Sequence, residues 1–114
     1  MKFKISEKLY TDSDSDKLFR KNLVKIKLKR PVNGLYVVTL PLYEAGIMEI
    51  YDYNELLQPY YRKLKRTIEV LGVSRTREGA KQLTCDILED VFSEYGNPNI
   101  NSNINTNIKE YFKF

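Results

Sequence analysis

The sequence predicts an α/β domain with a small, three-stranded and mostly parallel sheet in β-α-β-α-β-α order, followed by an asparagine-rich C-terminal tail. Three observations lead there. The chain has 114 residues, 42% of them hydrophobic and 30% charged, which is the size and balance of one ordinary globular domain. Two short runs rich in β-branched and aromatic residues, Leu35 to Leu40 and Thr67 to Val73, are bounded by turn formers or charges as buried strands are. Segments of helical spacing precede, separate and follow them, and strands joined by crossover helices pair in parallel with right-handed connections. Whether the strand order is 2-1-3 or 3-2-1 stays open.

At the N-terminus Phe3, Ile5 and, less regularly, Leu9 alternate with polar residues, marking a short first strand with one buried face. Ser13, Asp14, Ser15 and Asp16 are each N-cap residues, and acids suit the positive end of a helix. Phe19, Leu23, Ile26 and Arg30 continue at helical spacing, so a helix is expected to about residue 29. Val24, Ile26 and Leu28 also alternate with lysines. That pattern leaves a strand over 23–29 as the alternative, which would give an α+β fold with an antiparallel hairpin at 23–40. Pro31-Val32-Asn33-Gly34 stops either version.

Leu35 to Leu40 then reads as a central strand buried on both faces. After a turn from Pro41 to Gly46, Ile47, Ile50, Tyr51, Asn54 and Leu57 share one helical stripe, and Pro59 is expected to end this second helix near Gln58. Tyr60 and Tyr61 fill a corner before the strand at Thr67 to Val73. Thr76 as cap, Glu78 in the first turn, and Ala80, Thr84, Ile87, Leu88, Val91, Phe92 and Tyr95 at helical intervals define the clearest element, ended by Gly96-Asn97-Pro98. Cys85 falls beside that stripe. The domain proper is therefore 1–96 and the tail 97–114. From Asn97 to Asn107 every odd position is asparagine, the composition of a flexible tract. Period two also aligns Ile100, Ile104 and Ile108 on one face of an extended segment, so docking as an edge strand is the second expectation.

Charge is segregated. Residues 17–30 hold seven bases and no acid, and Arg62, Lys63, Lys65 and Arg66 add four more, so two short stretches carry eleven of the nineteen positive charges behind a net charge of only +4. Acids gather instead at Glu44, Glu49, Asp52 and Glu55, and again at Glu78, Asp86, Glu89, Asp90 and Glu94. Such polarity can steer an anionic partner, or pair a basic face of one copy with an acidic face of another; it also serves simply to keep a face solvated.

The inventory excludes much chemistry. The chain lacks histidine and tryptophan and has one cysteine, which removes histidine bases, imidazole metal sites, zinc ribbons and paired-cysteine redox motifs. Asp86 and Asp90 share a helix face without calcium-loop spacing, and Cys85 sits in mid-helix with no histidine to activate it. A non-enzyme with no catalytic residue, no metal and no cofactor is expected. The lone cysteine cannot form an internal disulfide, MKFKISEKLY lacks the apolar core of a secretory signal, and the charge-free run Pro31 to Tyr43 falls far short of the roughly 20 apolar residues of a membrane span. These point to the cytoplasm and to no membrane partner.

The Leu35 to Leu40 run, Glu49-Ile50-Tyr51, Leu56-Leu57-Gln58-Pro59-Tyr60-Tyr61, Val70-Leu71-Gly72-Val73 and the Ala80 to Val91 helix together resemble an uncharacterised family of short bacterial proteins. The resemblance implies a small α/β domain and no activity. The family pattern carries a further glycine after the third strand, where this chain reads Ser74-Arg75-Thr76-Arg77.

Three functional expectations follow from the residues. The first is an oligomer-forming protein-interaction or regulatory domain, bound to itself or to another protein, with Tyr60 and Tyr61 as contact candidates because tyrosine supplies large area at little rotamer entropy. The alternative is binding of nucleic acid or another polyanion through Arg20, Lys21, Lys25, Lys27, Arg62, Lys63, Lys65 and Arg66, with the same tyrosines as stacking surfaces. The third is an anion held by Arg75, Thr76 and Arg77 at the start of the last helix.

Overall fold

A computed structural model of the chain describes residues 1–42, 46–96 and 104–114, with the side chains of Ser13 and Asp14 outside the description. Its sheet has four strands, β1 (Lys2–Thr11), β2 (Tyr36–Thr39), β3 (Glu49–Asp52) and β4 (Thr67–Ser74), in the spatial order β1-β4-β2-β3. Strands β1 and β4 run parallel, while β4–β2 and β2–β3 are antiparallel. The architecture is thus a small α/β domain on a mixed sheet, not on the expected three-stranded, mostly parallel one. A hairpin exists, but it joins 36–39 to 49–52 instead of occupying 23–40.

The second expected helix is where the sequence misleads. Ile50 lies opposite Val38 and Tyr51 opposite Val37, and these adjacent residues pack on opposite faces of the sheet. A strand covered on both faces loses polar alternation, so its apolar residues matched a helical stripe by coincidence. Asp52 then accepts the Asn54 N–H at 2.9 Å and caps a 3₁₀ helix, Tyr53–Leu57. Pro59 does not end a helix; it begins α3 (Pro59–Arg62), at the first helical position, where a missing N–H costs nothing.

Before β2 the chain forms α1 (Ser13–Lys21) and α2 (Leu23–Lys27), which overturns the strand at 23–29. The alternation with lysines there is a surface turn of helix: Ile26 is buried, and Val24 and Leu28 are exposed. The cap of α1 is Asp12, one residue ahead of the expected candidates, and the break at Asn22 follows the donation of its side-chain amide to the Leu18 carbonyl at 2.9 Å.

One face of the sheet is covered by α1, α2 and the 3₁₀ helix over Phe19, Ile26, Val37, Tyr53, Leu56 and Ile68. The other is covered by α4 (Arg77–Tyr95) and α5 (Ile104–Phe112) over Val38, Leu71, Ile87, Val91, Ile108 and Phe112. A bulge in β4 serves both layers. Val38 pairs Gly72 and Thr39 pairs Val70, so Leu71 is the extra residue; Leu71 and Gly72 both turn toward α4 and Val73 returns to the opposite layer. A Cβ on Gly72 would lie 3.1 Å from the Tyr10 carbonyl and 3.4 Å from Leu83, so this crowded spot favours glycine.

Helix α4 matches its sequence pattern, capped by Thr76 and ending before Gly96, although its buried row is Ala80, Leu83, Ile87 and Val91, with Leu83 in place of Thr84. The tail differs. Residues 97–103, with most of the asparagine alternation and Ile100, lie outside the described residues, whereas 104–112 is helical and not an edge strand. Ile104, Ile108 and Phe112 are one helical turn apart, and the last two are buried against the α4 layer. The Tyr10 hydroxyl donates to Asp90 and lies 2.7 Å from the Tyr111 hydroxyl, which ties β1 to both helices; burial, then those two bonds, raises its pKa far above the ordinary phenol range. Among the described residues no helix is long and apolar enough to cross a membrane.

Candidate interaction surface

The basic residues of α1 and α2 are positioned by two inward anchors. Phe19 and Ile26 are buried against the sheet, and their spacing turns Arg20, Lys21, Lys25 and Lys27 outward. Lys29 takes φ 57°, the left-handed conformation that ends α2, and its carbonyl accepts a hydrogen bond from Arg62 Nη2 at 2.8 Å. The neighbouring Arg30 carbonyl accepts the Tyr53 hydroxyl at 3.0 Å, and burial pushes that phenol up to about 12. Two basic segments 33 positions apart are thereby stitched together at Lys29 and Arg62.

A further pair of lysines joins them. The Lys2 N–H donates to the Arg66 carbonyl at 3.2 Å, which brings the start of β1 beside the second basic cluster. Between β1 and the helices lies a groove of about 680 Å³, floored by Phe3, Ile5, Phe19, Leu23 and Ile26 and rimmed by Lys2, Lys4, Lys27 and Lys29. None of these four lysines is in an ion pair among the described residues, where the pairs are Arg20–Asp16 at 3.0 Å and Lys81–Glu78 at 3.5 Å. Lys2, Phe3, Lys4 and Ile5 are the part of the surface that the reading of basic clusters missed. The signal was present as Lys-Phe-Lys-Ile alternation, which sets cations and apolar side chains on opposite faces of one strand.

The remaining candidates are placed as follows. Arg20 is exposed and paired with Asp16; Lys21, Lys25, Lys63, Lys65 and Arg66 are exposed on the same two segments. Tyr60 is 63% exposed, whereas Tyr61 is half-buried, edge-on to both Tyr51 and Tyr60 at 5.7 and 5.1 Å. Tyr61 is accordingly a packing residue and Tyr60 presents surface.

At Arg75, Thr76 and Arg77 the chain's own groups already take several of the donors. The Arg75 N–H donates to Ser15 Oγ at 3.0 Å, the Thr76 N–H to Ser74 Oγ at 3.3 Å, and the Gly79 N–H to Thr76 Oγ1 at 2.9 Å. The Asp12 carboxylate accepts from the Ser15 N–H and hydroxyl and from Ser74, and the Ser15 hydroxyl bond leads in holding it below the usual carboxylate range. A second anion would meet that charge. The Arg77 guanidinium lies over the Tyr36 ring at 5.3 Å. Asp86 and Asp90 likewise have partners, Gln82 and Tyr10, and among the described residues no three His, Cys, Asp or Glu side chains gather as a metal site would need.

No family model matches the chain, and comparison with curated proteins and with solved structures finds no match.

Proposed function

We propose that this chain is a non-enzymatic protein-interaction or regulatory domain, forming oligomers or holding a second protein through the face made by β1, α1 and α2. The groove beside β1, with its apolar floor and lysine rim, carries the reading, together with Val24 and Leu28 of α2, which stand 69% and 62% exposed. Large apolar side chains this open, interleaved with Lys25, Lys27 and Lys29, belong to a surface that is covered when it works. The lone, exposed Cys85 fits a reducing compartment, and we place the protein in the cytoplasm. Light scattering from micromolar to millimolar concentration is expected to give a mass rising above 13.5 kDa, and Val24→Ser with Leu28→Ser to return it to the monomer. A wild-type mass held at 13.5 kDa throughout would remove self-association and leave the second-protein arm alone.

The second reading, binding of a polyanion, is favoured by the contact of Arg62 with Lys29, which merges the two basic segments into one field. Retention on heparin that falls steeply with salt, and weakens in Arg62→Glu, is its expected signature. Binding indifferent to salt would exclude it.

A further inference from the structure

We propose that the partner is an acidic, extended peptide segment that joins the sheet as a fifth strand along the open edge of β1. This rests on the interaction reading above and names its occupant. β1 ends the strand order and carries no proline, and its stretch Lys2–Ile5 pairs in unbroken register with Thr67–Val70 before the register shifts ahead of Tyr10, so the regular open edge is Lys2–Ile5. Its Lys2 N–H points to β4, so strand alternation turns the backbone groups of Phe3 and Ile5 outward, where an added strand would meet them.

The edge is hollow on both sides. The apolar groove lies on one side; on the other is a hollow of about 560 Å³ whose lining includes Lys4, Lys8, Lys113 and Phe114. Lys4 and Ile5 line both, so the two hollows meet across β1. Successive side chains of an added strand point alternately to the two sides, apolar ones onto Phe3, Ile5, Phe19 and Leu23, carboxylates toward Lys4, Lys8 and Lys113. Glu7 is the acid of that second hollow, against three lysines there and the further Lys2, Lys27 and Lys29 on the groove. Lys4 and Lys8 are held over the rings of Phe114 and Tyr111 at 5.4 and 4.3 Å, which keeps both ammonium groups beside the edge.

Charge also selects against a second copy of β1. In antiparallel self-pairing, registers centred on Phe3, Lys4 or Ile5 set Lys2 against Lys4, Lys4 against itself, or Lys2 against Lys8. Like charges directly opposite destabilise a strand pair. Lysines that serve only to blunt an edge would not need an apolar groove alongside them.

The test uses the full chain and a fluorescent peptide of about eight residues, a common strand length, alternating Glu and Val. Controls are the same peptide with Lys for Glu, and with a central Pro that cannot continue a ladder. Polarisation is expected to show the Glu peptide binding at least about tenfold tighter than either control, and about tenfold weaker to Lys2→Glu with Lys4→Glu. Slowed amide exchange at Phe3 and Ile5 in the complex is the accompanying sign. Equal binding of the proline control, still lost in the lysine variant, would overturn strand addition while leaving the basic interaction face standing. Failure of the Glu peptide to bind, or binding unaffected by the lysine substitutions, would overturn the proposal; the broader reading falls only if Val24→Ser with Leu28→Ser also leaves assembly and partner binding unchanged. A complex containing two copies of the chain and no peptide would assign the edge to self-association instead.

Discussion

Helix α4 runs nineteen residues without a break and buries Ala80, Leu83, Ile87 and Val91 in one row, whereas α1 and α2 cover the opposite face in pieces of nine and five residues. The first layer is sealed further by Ile108 and Phe112 of α5. The second is pinned at Phe19 and Ile26, with Leu18 and Leu23 half-buried, because the bases between residues 17 and 30 must keep their charged ends in water. A helix that spends its faces on lysines cannot also close the gap beside β1. The α4 side is therefore covered by continuous helix, whereas the α1–α2 side, although its buried cluster is the larger, leaves apolar side chains open at Val24 and Leu28.

The strongest way to break that contrast is Phe112→Ala. Phe112 is 3% exposed, and its truncation is expected to cost about 3–5 kcal/mol in denaturant unfolding. A loss under about 1 kcal/mol would show that α5 is not part of the sealed layer. Next is Gly79→Ala at the start of α4, where the added Cβ would stand 2.2 Å from Ser74 Oγ. The serine must turn away from Asp12 and Thr76, so a loss of about 1–2 kcal/mol is expected in spite of alanine's better helix propensity. Adding Ser74→Ala should recover part of it, and strictly additive losses in the double-mutant cycle would rule out the crowding.

A smaller effect comes from Asp12→Asn, at the junction of α1 with β4. Hydrogen bonds, Ser15's first, lower the folded-state pKa of Asp12, so its contribution is complete above the unfolded value near 3.9 and is lost as pH falls through the depressed folded value. The carboxylate is largely exposed, and the difference from wild type at neutral pH is expected to stay below about 1 kcal/mol. Urea unfolding across an acid series checks the sign: a gap that widened on acidification would contradict it. Smallest of all in stability, and sharpest for the contrast, are Val24→Ser and Leu28→Ser. Each is expected to change unfolding by no more than about 0.5 kcal/mol, since both are exposed, while assembly or partner binding is lost.

Most local elements were legible in the sequence. Thr76, Glu78 and Gly96 frame α4, and the β-branched runs locate β2 and β4, because caps, turns and continuous burial act over a few residues. β3 was not, since Ile50 and Tyr51 answer to two layers contributed by distant parts of the chain. α5 was obscured because asparagine at every odd position imposes period two on isoleucines that also stand four apart. Of the candidate surface, the two basic segments and Tyr60 stand out in the sequence, but Lys2 and Lys4 enter it only because β1 pairs with β4 and lies beside α2.

By itself the sequence determined that a compact α/β domain forms, which segments carry positive charge, and that histidine chemistry is closed to it, all properties of residue type and short-range pattern. The tertiary structure decided the mixed order β1-β4-β2-β3, the hydrogen bonds by which Asp12 and Ser15 hold the turn before α4, and the meeting of Lys2, Lys4, Lys27 and Lys29 around one apolar groove. Those depend on which distant segments become neighbours. That choice is made by simultaneous burial on both faces of the sheet, which no window of consecutive residues contains.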